Sequence, residues 1–256
     1  MGNCFYCYGA ANDAFEKFNS EELYYGNGQL KYQGPKNANN RPDGYGQTYF
    51  PDGQIKYRGY YHNGHRNGYG IEWFKNGVVN FKGTWSQCEH QKEGYVFHNN
   101  GKLNAHGSWF DNKFNGFMTV FNDKGVLLIQ GNYKNGKKHG IVKEYYQNGN
   151  IKIQGNWLDD EPYEYTDYFH ENGIIMEERK YIDGKEVQIV RCYYDNGKLK
   201  EEKGLYYGKL NGNQKTYYQN GQIHNDITWA HDKKHGVEIC QFENGMIEFE
   251  KSYTEG

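Results

Sequence analysis

The sequence is poor in aliphatic residues and carries little net charge. Leu, Ile, Val and Phe number 9, 14, 9 and 14, together 46 of 256 residues, too few for the thick aliphatic core of an ordinary enzyme of this length. Because the net charge is only −2, this low hydrophobicity does not indicate disorder. No stretch approaches the ~18 apolar residues of a membrane span, and the terminus MGNCFYCYGA lacks the features of a secretory signal.

Cysteine is also scarce, and its distribution narrows the class of protein. The five cysteines are odd in number and irregularly spaced, which argues against a disulfide framework and predicts a reducing, intracellular location. Cys4 and Cys7 form a CxxC motif, but the sequence offers no second pair of zinc ligands, so we predict no metal and no cofactor. The scattered histidines suggest no catalytic triad or dyad, and we predict that the protein is not an enzyme. The pI of about 6.6 predicts no nucleic-acid partner.

Glycine and tyrosine are abundant, with 34 and 26 residues, and the glycines are periodic. One glycine recurs with a first gap of 25 residues and eight further gaps of 24 residues, and Asn or Asp precedes it in nine of ten cases. These glycines are Gly28, Gly53, Gly77, Gly101, Gly125, Gly149, Gly173, Gly197, Gly221 and Gly245. With this glycine as position 0, position +2 is aliphatic in all ten units, position +8 is aromatic in eight, and position +20 is aromatic in seven.

Each unit also contains a second turn signal, because position +11 is nearly always Gly, Asn or Asp. Turns about every 12 residues leave room for strands and exclude long helices. The repeat therefore predicts an all-β fold, an antiparallel meander of tandem hairpins with two strands per unit and roughly 20 in all. Positions +2, +4, +6 and +8 share one face, and we expect aromatic columns at +8 and +20 to replace a globular core in an elongated, curved rod.

One unit shows the family pattern clearly. Residues 131–149, GNYKNGKKHGIVKEYYQNG, resemble a MORN repeat (membrane occupation and recognition nexus) in its 24-residue variant. The resemblance covers about residues 25–256, which leaves residues 1–24 as a leader, with a possible short helix over residues 11–24 that would cap the first repeat. It implies an extended scaffold for protein partners in a membrane-associated, cytoskeletal or ciliary assembly. The acidic stretch at 159–162, which contains a proline, departs from the repeat pattern and predicts either a bend, an edge or a partner contact near residues 159–167, or a decayed repeat.

The N-terminus is a predicted lipidation site. Met1-Gly2-Asn3-Cys4 resembles an N-myristoylation start, although Tyr6 stands where the pattern asks for Ser or Thr. Cys4 and Cys7 are candidates for a second acylation, which stable membrane anchoring requires. We therefore expect attachment at Gly2, Cys4 and Cys7 to the cytoplasmic face of a membrane.

Two further sets of residues are candidate contacts. The second turns carry mostly basic residues that could face anionic lipid, and the first turns carry acidic ones. The basic set is His65, Arg66, Lys113, Lys137, Lys138, Lys185, Lys209, Lys233 and Lys234. Tyrosine pairs near the strand ends contain one structural ring and one that we predict to contact partners, namely Tyr146, Tyr194 and Tyr218.

These features predict a non-enzymatic scaffold or adaptor that binds proteins along an aromatic-rich β-surface. Three alternatives stay open at this point. An antitoxin-like protein would neutralise one toxin, an anionic-phospholipid-binding module would bind vesicles in a salt-dependent way, and a wall-binding repeat protein would be secreted. The sequence identifies neither the partner nor the oligomeric state.

Overall fold

The computed structural model describes residues 21–182 and 187–254, and every regular element there is a β-strand. Strands that follow one another in sequence pair antiparallel, from Glu21–Tyr24 to Val79–Ser86 and again from Glu89–Phe97 to Ile247–Tyr253, which confirms the predicted meander of hairpins. The chain divides into two units, one up to Gln91 and one from Lys92. Six strands lie in the first unit and a seventh, β7, crosses its boundary. They are β1 (Glu21–Tyr24), β2 (Leu30–Gly34), β3 (Gly44–Tyr49), β4 (Ile55–His62), β5 (His65–Trp73), β6 (Val79–Ser86) and β7 (Glu89–Phe97).

The second unit continues the same alternation of strands and tight turns. Its strands are β8 (Leu103–Phe110), β9 (Lys113–Phe121), β10 (Leu127–Lys134), β11 (Lys137–Tyr145), β12 (Ile151–Leu158), β13 (Glu161–Phe169), β14 (Ile175–Ile182), β15 (Val187–Tyr193), β16 (Leu199–Tyr206), β17 (Lys209–Tyr217), β18 (Ile223–Ala230), β19 (Lys233–Gln241) and β20 (Ile247–Tyr253). Even-numbered strands follow the periodic glycine and odd-numbered strands follow the second turn. The two kinds of turn therefore lie at opposite ends of the strands.

Turn chemistry explains why the sequence folds this way. At the first turn the periodic glycine adopts a left-handed conformation, as at Gly53, whose φ is 89° and whose N–H donates to Phe50 O at 2.9 Å. At the second turn both central residues have positive φ, for example 51° and 87° at Asn63 and Gly64. Two successive positive φ angles define the type I′ hairpin turn, whose twist matches that of the flanking strands.

Two local predictions need correction. Residues 21–24 form strand β1, whose Glu21 pairs with Gly34, so the helix predicted over 11–24 is wrong for its last four residues. Residues 11–20, and with them the rest of that prediction, lie outside the described residues. The acidic stretch does not break the repeat, because Asp159 and Asp160 form a regular two-residue turn and Pro162, in the strand that follows, pairs with Trp157 of the strand before it. The partner contact predicted there stays a prediction.

The core lies on one face of the strands, here called the core face. It carries positions +4, +6 and +8 of the even strands and +13, +17 and +19 of the odd strands, which oppose each other in the register. Tyr57 and Phe81 at +4 are 0% exposed, and Trp85 at +8 is 3% exposed. The residues at +20 are only half-buried, so the predicted second core column is wrong. Position +4 fills that role because it lies in the middle of the strand.

Candidate functional site

In the first unit the core face is filled by rings lying on glycine. Tyr57 lies so close to Gly59 and Gly70 that a Cβ on Gly70 would stand 2.1 Å from the Tyr57 hydroxyl oxygen. The Tyr57 ring meets Trp85 edge to face, with centroids 5.5 Å apart. Arg66 lies 4.6 Å from the centroids of both rings and donates to Glu72 at 2.8 Å. Packed rings and the ion pair between Arg66 and Glu72 therefore close this part of the core face to solvent.

In the last repeats of the second unit, polar side chains replace these rings. Position +4 becomes Glu177, Glu201 and Asn225, and position +6 changes from glycine to Arg179, Lys203 and Ile227. Arg179 pairs with Glu177 and Lys203 pairs with Glu201 on the same strand. The result is a more open and hydrogen-bonding core face.

The predicted basic set divides into two groups. Arg66, Lys138 and Lys234 lie on the core face, where they form ion pairs with Glu72, Glu144 and Glu238. The remaining described members are exposed at the turns: His65, Lys113, Lys137, Lys209 and Lys233. Adjacent residues of one strand point to opposite faces, which separates Lys137 from Lys138. Lys185, Gly2, Cys4 and Cys7 lie outside the described residues, and the predictions that rest on them stay predictions.

Successive second turns are joined by backbone hydrogen bonds. Within the first unit Cys88 N–H donates to Arg66 O at 3.0 Å. Within the second, Gly136 N–H donates to Phe114 O at 2.8 Å and Asp232 N–H donates to Leu210 O at 2.9 Å. In each unit the exposed basic side chains of the second turns therefore lie at the same end of the strands, as expected for a meander.

The three predicted contact tyrosines have a structural role. The Tyr146, Tyr194 and Tyr218 hydroxyls donate to the carbonyl oxygens of Phe169, Tyr217 and Gln241 at 2.7, 2.6 and 2.8 Å. Each bond joins one glycine turn to the strand end of the next repeat. All three rings are half-buried, so these residues connect repeats, and their use by a partner stays a prediction.

The sequence reasoning missed a set of apolar side chains on the face opposite to the core. Position +16 of successive repeats places Phe117, Ile141 and Tyr165 there, 51%, 54% and 38% exposed. Val237 occupies the same position and is 44% exposed, and in the first unit Tyr69 does so and is 41% exposed. Tyr45, eight residues before Gly53 in the 25-residue first repeat as Tyr69 is before Gly77, is 46% exposed. We call the second-unit members, Phe117, Ile141, Tyr165 and Val237, the apolar stripe. Position +16 has the opposite parity to the core positions +17 and +19, and this difference is the sequence signal that could have identified them.

No group of three or more His, Cys, Asp or Glu side chains in the described ranges could hold a metal ion. Nowhere in residues 21–182 or 187–254 is there a helix with the length and apolarity that crossing a membrane requires.

Comparison with protein families accounts for the repeating hairpin. The model of the MORN repeat variant matches residues 42–63, 138–159, 189–206 and 210–231, and the MORN repeat model matches residues 57–79. The chain is a MORN-repeat protein. Each variant match in this MORN-repeat protein spans an odd strand, the glycine turn and the following even strand, as β11 and β12 do over 138–159. The family unit is therefore the strand pair around the periodic glycine.

Similarity to solved structures is slight. The crystal structure of TcdB2-TccC3 without its hypervariable C-terminal region is 9% identical, with a TM-score of 0.19, and the match covers 91% of this chain and 16% of that one. The crystal structure of TcdB2-TccC3-Cdc42 is 9% identical, with a TM-score of 0.17 and coverages of 88% and 22%. This MORN-repeat protein spans less than a quarter of either chain, and TM-scores this low do not show a shared fold. None of the curated proteins matches it.

Proposed function

We propose that this MORN-repeat protein is a non-enzymatic scaffold or adaptor that binds protein partners along the apolar stripe, in a membrane-associated or cytoskeletal assembly. MORN repeats commonly bind proteins or membranes, which supports the general role. The intracellular location, the assembly and the absence of catalysis are parts of the proposal.

The observation that carries the proposal is the exposure of the apolar stripe. Phe117, Ile141 and Tyr165 occupy one position of three successive repeats and point to the same face. Equivalent residues two strands apart are separated by about 10 Å. Single exposed apolar residues are ordinary, whereas a row of large ones on one face is typical of an interaction surface. Aromatic anchors of this kind supply much of the binding free energy at interfaces.

A matched pair of variants tests this proposal in cells that express the protein. The stripe variant carries Phe117→Thr, Ile141→Thr and Tyr165→Thr, which keep high strand propensity and remove the apolar surface. The control carries Lys113→Gln, Lys137→Gln and Lys209→Gln at the turns. We expect proximity labelling to show the stripe variant losing the proteins enriched by the wild type, while the control keeps them. Equal labelling by all three proteins would contradict the proposal.

A second candidate function is contact with an anionic membrane surface. Four exposed lysines, Lys113, Lys137, Lys209 and Lys233, project from the second turns of the second unit. Each basic residue near an anionic leaflet contributes roughly 1 kcal/mol. We expect the lysine control variant extended by Lys233→Gln to bind vesicles containing phosphatidylserine at least about tenfold more weakly than the wild type at low salt. Equal binding by both, or binding that salt does not weaken, would exclude this role.

A further inference from the structure

An open groove crosses the core face of strands β16 to β19 in the second unit. Its volume is about 460 Å³. Glu201, Gln214, Asn225 and Glu238 line it together with the rings of Tyr194 and Trp229. This region belongs to the part of the core face in which polar side chains replace rings.

The groove follows from the residues at position +4. In the first unit Tyr57 and Phe81 occupy this position, lie flat along the strand and are fully buried. Glu201 and Asn225 stand at the same position here, are smaller, and point their polar groups toward the neighbouring strands, where Glu201 meets Gln214 and Asn225 meets Glu238. The space that a ring fills in the first unit is left open to solvent between the strands.

The carboxylates in this groove are already satisfied. Glu201 accepts hydrogen bonds from Gln214 and from Lys203, the latter at 2.8 Å. Glu238 accepts from Lys234 Nζ at 2.8 and 2.9 Å, and from Asn225 Nδ2 at 2.9 Å. Burial would raise the pKa of Glu238, but these bonds and one from Tyr253 outweigh it and lower the pKa to about 2. Each carboxylate therefore carries its charge beside an ammonium group, and neither is left unpaired for a cationic ligand. Lys200 also lines the groove, and its Nζ lies 5.7 Å from the centroid of the Tyr194 ring.

The uncharged groups of the groove are fixed in position. Trp229 Nε1 donates to Gln214 Oε1 at 2.7 Å, which orients the indole ring and the amide together. The Tyr194 hydroxyl donates to Tyr217 O at 2.6 Å and anchors the ring at the glycine-turn end of the groove. Asn225 donates its amide N–H to Glu238, while its side-chain oxygen Oδ1 is buried without a hydrogen-bond partner. A buried acceptor of this kind favours a ligand that supplies a donor.

We propose that this groove binds an uncharged glycan, with one sugar ring against Trp229 and a sugar hydroxyl donating to Asn225 Oδ1. Sugars combine apolar C–H faces, which pack on aromatic rings, with hydroxyls that both donate and accept hydrogen bonds. The open ends of the groove suit a chain of sugars, and its paired carboxylates leave no free site for a cationic ligand. This inference does not depend on the proposed scaffold role, which uses the opposite face.

The test uses the full chain and three probes: cellohexaose, maltohexaose and chitohexaose. Binding is measured by calorimetry and by tryptophan fluorescence, with far-UV circular dichroism as the check on folding. We expect at least one probe to bind the wild type with a Kd at or below about 1 mM. Trp229→Ala and Asn225→Leu should each weaken that binding about tenfold or more.

Two further variants keep the test decisive. Trp157→Ala removes the ring at the same position +8 of an earlier repeat and should bind like the wild type. Trp229→Phe retains a ring if Trp229→Ala fails to fold, and should bind with intermediate affinity. The proposal is overturned if no probe binds at about 1 mM, or if binding is unchanged by both Asn225→Leu and the Trp229 variants. It is also overturned if a sulfated heparin hexasaccharide binds more tightly than every neutral probe.

Discussion

The first-unit core face and the last repeats of the second unit share one hairpin register and differ in chemistry. Around Tyr57 the face is a ring lying on two glycines, whereas around Glu201 it is a network of charged and amide groups. The turns and the strand pairing are alike in both. The turns and backbone ladders therefore specify the repeat, while the core face can vary as long as sizes remain complementary across strands.

Complementary sizes are visible at positions +4 and +17. Large rings at +4 lie over glycines at +17, as Tyr57 does over Gly70, whereas the smaller Ile129 accompanies Val142. A Cβ on Gly131 would lie 2.6 Å from the Cα of Val142, so the two strands approach each other as closely beside Val142 as they do beside Gly70. Glycine at +17 is therefore required by the size of the ring at +4 and not by the spacing of the two backbones.

The largest expected effect comes from breaking this complementarity. Gly70→Val should lower the free energy of unfolding by about 3 kcal/mol, because the new side chain overlaps the Tyr57 ring. Tyr57→Ile combined with Gly70→Val reproduces the pair Ile129 and Val142 and should recover at least half of that loss. Urea denaturation measures both. A double variant that is no more stable than Gly70→Val would contradict the size argument.

The two regions should also respond to acid in different pH windows. Burial, and secondarily the charge of Arg66, lowers the pKa of His90 from 6.5 to about 4. Protons then bind the unfolded state first, so His90 reduces stability as the pH falls from 6.5 toward 4, by about 2 kcal/mol for this partly exposed ring. Glu238, whose pKa is lowered from 4.5 to about 2, contributes stability above pH 4.5 that is lost as the pH falls toward 2.

Thermal melts between pH 7 and about 3 separate the two windows. His90→Phe, which copies Phe114 at the same position of the next repeat, should abolish the loss in the upper window. Glu238→Gln should change only the lower one. An unaltered upper window in His90→Phe would show that another group titrates there.

A smaller effect is expected from the polar core of the second unit. Glu201→Ile leaves the Lys203 ammonium without its partner and should cost about 1 to 2 kcal/mol of unfolding free energy. Adding Lys203→Gly and Gln214→Val reproduces the residues at 129, 131 and 142 and should restore the wild-type value. The Trp229 Nε1 that loses Gln214 would then resemble Trp85 Nε1, which is buried without a partner. A triple variant less stable than Glu201→Ile would show that the two core chemistries cannot be exchanged.

The smallest effect concerns the bond between successive repeats. Tyr218→Phe removes a hydroxyl that donates to Gln241 O at 2.8 Å, and should cost about 1 kcal/mol of unfolding free energy. Phe50 and Phe74 occupy the equivalent position in the first unit, so the substitution itself is compatible with the fold. Chemical denaturation of Tyr218→Phe against the wild type gives the value. No measurable change would mean that the bond contributes nothing.

The periodicity of the glycines predicted the strands, turns and antiparallel order, because each turn type requires residues that the sequence repeats. The direction of long side chains was not predictable in the same way. Lys138 and Tyr146 were assigned to contact surfaces, yet Lys138 reaches Glu144 and Tyr146 reaches the next repeat. Glu144 lies 6 residues further along the same strand and Phe169 lies 23 residues away in the next repeat, so neither contact is visible in the local sequence pattern.

Photo-crosslinking from single positions tests the central claim most directly, because it reports which surface a partner touches. A benzophenone side chain replaces Phe117 or Ile141 in the apolar stripe, or Lys113 at a second turn, in cells that express the protein. The account predicts that one discrete protein adduct forms from positions 117 and 141 and is absent from position 113. Adducts from position 113 alone, or no adduct from either stripe position, would contradict the claim that partners dock on this face.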